Sequence, residues 1–152
     1  MQRLRWVHSI ESSRYNVRKL IVTDNVCCPE WLTVYKETNY LDPVETSQEM
    51  TRILKDEEQC DLIICLSHLG YHYRNRPEKM SDLKLASRTK DIDLIIGGHT
   101  HTFLPKPTVV KNSENKNMLV NQVGCYGINL GKIDFYFDTQ KNKAANGTSI
   151  IV

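Results

Sequence analysis

No apolar run in the sequence reaches the roughly 18 residues that a membrane span requires, so no spanning helix is expected. The N-terminus, MQRLRWVHSIESSRY, is basic but lacks the apolar region of a secretory leader, and the chain as it stands reads as cytoplasmic. Charge of one sign is also scarce. A net charge of +2 and a pI near 8.2, with no basic stripe interleaved with aromatics, argue against a nucleic-acid partner. The five cysteines, an odd number, include no CxxC pair, and the adjacent Cys27 and Cys28 cannot easily bridge to each other. No disulfide framework or thiolate zinc site is expected, and Cys60 and Cys65 read as small buried hydrophobes beside or within a strand. Internal repeats are missing too.

What remains is ordinary for one globular domain with a real core: 152 residues, 40% hydrophobic and 25% charged. Residues 1–16 show no periodicity and read as a loose arm. Val17–Val26 holds a short apolar centre that fits a strand, and Cys27–Tyr40 reads as loop. Asp42-Pro43-Val44-Glu45 has the chemistry of a helix start, with Asp42 as N-cap and Pro43 at the first helical position, so a helix is expected from about Pro43 to about Glu58. Leu62–Leu66 and Leu94–Ile96 are continuous apolar runs suited to strands buried on both faces, with a short helical pattern from Ser81 to about Thr89 between them. Thr108–Lys111 and Met118–Gln122 form a hairpin pattern, Lys132–Asp138 alternates like a half-buried antiparallel strand, and the polar tail from Thr139 is expected to fray.

Strand, helix, strand in that order makes a right-handed βαβ unit with parallel strands. Both strands then end on the same edge of the sheet, where α/β proteins bind ligands. His68 follows the first apolar run, and Gly97-Gly98-His99-Thr100-His101 follows the second. Imidazoles two residues apart on a glycine-bent turn diverge and can serve two different metal ions. The plainer alternative is a set of loop histidines with ordinary hydrogen bonds. His72, Arg74 and Arg76 read as solvated loop residues, Asn121 and Asn129 as turn hydrogen-bonders, and Tyr71 and Tyr126 as residues that either shape the mouth of a pocket or pack in the core with a wet hydroxyl.

SHLG at Ser67–Gly70, GGHTHT at Gly97–Thr102 and NQVGCYGINLGKID at Asn121–Asp134 together resemble the C-terminal half of the calcineurin-like metallophosphoesterase domain, in its bacterial 5′-nucleotidase branch; DPVE at Asp42–Glu45 fits as well. The resemblance covers about residues 40–138, between an arm at 1–39 and a tail at 139–152. It implies a partial layered α/β fold with a largely parallel sheet, flanking helices and a C-terminal β-hairpin. It also implies metal-dependent hydrolysis of phosphate monoesters, nucleoside 5′-phosphates among them. In that family two divalent ions, zinc or manganese, activate a water; by resemblance His68 and His99 would hold one ion and His101 the other, with Gly97 and Gly98 allowing close backbone approach. Intact members of the branch are commonly periplasmic or surface-anchored.

The family's upstream DxH, bridging GD and GNH[DE] motifs have no counterpart in residues 1–60, where His8 is the only histidine. Three neutral imidazoles cannot offset the charge of two dications, so at most one ion is expected in this chain alone. No acid–base residue is identified. The expectation is a truncated phosphoesterase of little activity; the alternative is a non-catalytic remnant, or a module that binds one zinc or docks on a partner chain completing the domain.

Overall fold

The computed structural model describes residues 10–12, 15–22, 41–140 and 142–151. Strands β1 (Ile10–Ser12), β2 (Tyr15–Val22), β3 (Leu62–Ser67), β4 (Leu94–Ile96), β5 (Thr108–Lys111) and β6 (Asn117–Asn121) form one six-stranded sheet in the order β1-β2-β3-β4-β6-β5. The central strands β2, β3, β4 and β6 run parallel, and the edge strands β1 and β5 are antiparallel to their neighbours. Within the stretch expected to be a loose arm, residues 10–12 and 15–16 are therefore strand. They pair with each other, Glu11 opposite Asn16 and Ser12 opposite Tyr15, and the rest of β2 from Val17 onward is held in the sheet by β3, more than 40 residues further along the chain, which local periodicity cannot reveal. The loop expected over Cys27–Tyr40 lies outside the described residues.

Helix α1 (Pro43–Arg52) starts as its sequence dictates. Asp42 Oδ1 accepts from the backbone N–H groups of Val44 at 2.8 Å and Glu45 at 3.0 Å, meeting two of the donors that a helix start leaves open. A π turn, Ile53–Glu57, carries it on to Glu58. Helix α2 (Asp82–Arg88) is capped by the Ser81 hydroxyl.

Side chains alternate across a strand, so Ile63 and Cys65 of β3, Ile95 of β4 and Met118 and Val120 of β6 share one face. They are buried there with Leu54 from the π turn and Leu85 and Ala86 from α2. This is the core, and its apolar burial is the main stabilising term at roughly 25 cal/mol per Å².

The opposite face meets a second layer, the hairpin of β7 (Asn129–Phe137) and β8 (Lys143–Ile151). Gly131 of β7 lies against Val123 and the side-chain amide of Asn121. The tail expected to fray is thus a nine-residue strand. Its own composition is polar, and what orders it is non-local: full pairing with β7, an ion pair from Lys143 Nζ to Asp93 Oδ1 at 2.5 Å, and Ser149 N–H donating to Pro105 O at 2.9 Å. Among the described residues no helix is long and apolar enough to cross a membrane.

Candidate metal centre

β3 and β4 are adjacent and parallel, with Leu66 opposite Ile96, so the residues following them leave the sheet side by side. His68 and His99 are brought together in this way: their rings lie edge to face with centroids 5.2 Å apart. The close approach depends on Gly98, since a Cβ there would stand 3.0 Å from His68 Nδ1.

The turn that follows is tight. Thr100 N–H donates to Gly98 O at 2.9 Å, closing a three-residue turn around His99, whose φ is +70°; His101 is also left-handed at +51°. Such backbone costs on the order of 1 kcal/mol per residue for a side chain other than glycine, and it persists because the surroundings impose it. Gln122 supplies much of that constraint. Its Nε2 donates to Gly98 O at 2.6 Å, and its Oε1 accepts from the Thr100 hydroxyl at 3.1 Å and from the Thr102 N–H.

The two turn histidines diverge. His99 faces His68 and is half-buried, whereas His101 is exposed with its ring 6.3 Å from that of Tyr126. On the other flank the Tyr73 ring lies 6.4 Å from His99, and Lys79 Nζ sits 4.5 Å above the Tyr73 ring. His72, Arg74 and Arg76 are exposed. Tyr71 is tied by its hydroxyl to that of Thr108 at 2.8 Å, and Asn121 is buried with its Oδ1 unpartnered.

Imidazole nitrogens suit first-row divalent ions. Two of them converge here, but among the described residues no group of three His, Cys, Asp or Glu side chains could hold an ion. The donor set fits part of one ion's coordination and does not close a two-ion centre.

Two residues at this site are assigned no role by the sequence, although Gln122 lies within the NQVGCYGINLGKID run that carries the resemblance. Gln122 ends the β6 hairpin pattern and looks like any polar turn residue. Asp82, in the first turn of α2, reads as a favourable charge near a helix start. It is instead fully buried, and burial pushes its pKa up to about 6, a rise partly offset by a hydrogen bond from the Ser67 hydroxyl. A signal did exist: Asp82, Leu85, Ala86 and Thr89 fall at i, i+3, i+4 and i+7, so the acid shares the stripe that faces the core.

The family model of calcineurin-like phosphoesterases matches residues 3–103, from the N-terminal arm to just past His101. The trifunctional nucleotide phosphoesterase YfkN of Bacillus subtilis (strain 168) is 43% identical over 103 residues, covering 68% of this chain and 6% of that protein. An apyrase of Tabanus yao is 29% identical over 135 residues, covering 79% of this chain and 22% of the apyrase. Among solved structures, the 5′-nucleotidase precursor of Thermus thermophilus superposes with a TM-score of 0.75 at 29% identity, over 95% of this chain and 29% of its own. The chain therefore spans less than a quarter of the length of these two sequence relatives. A match of this extent, running through the strand ends that bring His68 and His99 together, makes the chain a member of the calcineurin-like phosphoesterase family, with 5′-nucleotidases among its relatives in sequence and in fold.

Proposed function

We propose that this chain provides one side of a divalent-metal centre for hydrolysis of phosphate monoesters, with nucleoside 5′-phosphates as the substrate class. The observation that carries the reading is the pairing of His68 and His99 at the ends of two adjacent parallel strands. The names of the relatives, nucleotide phosphoesterase, apyrase and 5′-nucleotidase, support the substrate class. His68 and His99 serve one ion, zinc or manganese, and His101, turned away from His99, serves the side of a second. A pair of such ions, when bound, supplies an acidified water and charge stabilisation for an in-line displacement. The residues of this chain hold and orient: Gly98 admits the His68 ring, and Gln122 fixes the turn that separates His99 from His101. None of the described side chains is assigned as the acid or base.

Because the donor set is a half-site, the purified chain is expected to bind no more than one Zn(II) or Mn(II) per molecule and to turn over AMP slowly or not at all. Metal analysis together with an AMP and aryl-phosphate assay checks this, and two ions with robust turnover would sink it. His99→Ala should abolish the metal binding that exists.

A second reading, a non-catalytic module docking on a chain that supplies the missing ligands, is favoured by apolar side chains left exposed: Ile96 on the hairpin-facing side of the sheet at 40%, and the cross-strand pair Leu130 and Ile150 at 55% and 47%. It predicts that a phosphoesterase fragment carrying carboxylate ligands, added in trans, forms a complex that binds two ions. Failure of the complex to form would exclude it.

A further inference from the structure

The buried carboxylate of Asp82 lies between the two strand ends that carry the histidines. Its Oδ1 accepts from the Ser67 hydroxyl at 2.5 Å. That hydroxyl in turn accepts from Leu69 N–H at 3.2 Å, so Ser67 brackets the turn holding His68. The other oxygen, Oδ2, has no hydrogen-bond partner and rests against the backbone of Gly97, where any Cβ would collide with it. The backbone N–H of Asp82 donates to Gly70 O at 2.8 Å, which fixes the carboxylate to the end of the β3 turn. Gly97 is held from its far side by its N–H to Asn121 O at 2.8 Å.

One side chain therefore touches the residue before His68 on one strand and the glycine two residues before His99 on the next. A buried, incompletely partnered carboxylate is destabilising relative to an apolar group of the same size, so core stability alone does not account for it. We propose that Asp82 is a positioning residue: it spaces the Ser67 and Gly97 strand ends, and through them sets the separation and orientation of the His68 and His99 rings. The consequence for metal binding rests on the reading of those histidines as ligands, whereas the consequence for ring geometry does not.

The full chain is compared as wild type, Asp82→Ala, Asp82→Asn and Ser67→Ala, with circular dichroism and thermal melting as controls for folding. Two quantities are read: the nuclear Overhauser contact between the His68 and His99 ring protons in the metal-free protein, and the affinity for Zn(II) by titration calorimetry. Asp82→Asn keeps both size and the acceptor for Ser67, so it retains the ring contact and binds Zn(II) within about threefold of wild type. Asp82→Ala and Ser67→Ala keep the helix and sheet content but lose the ring contact and weaken Zn(II) binding at least tenfold. If Asp82→Ala does not fold, Ser67→Ala decides. An unchanged ring contact in the folded alanine variants overturns the proposal. Absence of Zn(II) binding in the wild type overturns the ligand reading alone and leaves the ring contact to test the spacing role.

Discussion

At Asp82 a single side chain carries both a cost and a testable pH dependence. Its ionised form is disfavoured by burial, so its pKa rises from the ordinary carboxylate value near 4 to about 6 in the folded chain. The folded state then holds a proton that the unfolded chain releases first. This contribution to stability is fully present below about pH 4 and is lost as pH rises through about 6, on the order of 3 kcal/mol in all. Asp82→Asn has no charge to lose, so the change in melting temperature between pH 4 and pH 7, measured against wild type, should show this component removed. An identical pH profile in the two proteins would contradict it. Burial and the charge of Asp82 likewise push the neighbouring Cys65 thiol up, so Cys65 stays protonated and inert. Nothing local in SDLK marks the acid as buried. The position became legible only as a member of the stripe with Leu85 and Ala86, and only once the sheet face it meets was known.

Elements differ in how far their own residues specify them. Helix α1 is written in its first four residues: Asp42 caps it, Pro43 sets φ in the first turn, and both do so over the expected range. Strands β3 and β4 are continuous apolar runs of the kind found in central strands, and both lie in the middle of the sheet, but only the core side is fully buried: Ile64 and Leu66 are half-buried and Ile96 is exposed on the other face. Strand β8 is the opposite case. KAANGTSII holds alanines, glycine and polar groups, and its order comes from the ladder to β7 and from the partly buried Lys143–Asp93 pair, whose acid also accepts from Ile63 N–H at 2.9 Å. Lys143→Ala leaves that carboxylate without its cation and should cost about 1 to 2 kcal/mol, measured by chemical denaturation. Hydrogen exchange of the β8 amides should also accelerate more than that of β3; equal acceleration would mean that Lys143 does not anchor the hairpin.

The molecule as a whole is built around one well-buried layer. The core joins α2 and the π turn to the inner strands, with Ile95, Cys65, Met118 and Val120 fully inaccessible, whereas β7 and β8 are mostly half-buried or exposed. Local opening should follow that gradient. Amides of β3, β4 and β6 are expected to exchange at the global unfolding limit, and those of β7 and β8 faster by at least tenfold; uniform protection across both layers would show that the hairpin is part of a single cooperative unit. The same asymmetry bears on the site, because His68 and His99 hang from the protected strands while His101 faces the exposed side with Tyr126.

Sequence alone determined the elements that short-range chemistry encodes: the capped helix, the buried apolar strands, the glycine-bent turn, and the SHLG and GGHTHT motifs that carry the family resemblance. Parallel strands sharing one edge also placed His68 and His99 on the same side of the sheet. Only the tertiary structure decided that β3 and β4 are immediate neighbours, that the two rings stand 5.2 Å apart, that His101 turns away, and that a polar tail forms a full strand. It alone showed a lone carboxylate buried beneath both turns. The division has one physical cause. Caps, turns and periodicity are set by interactions within a few residues, whereas burial of a charge and the register of distant strands depend on contacts whose free energy exists only after the chain has closed on itself.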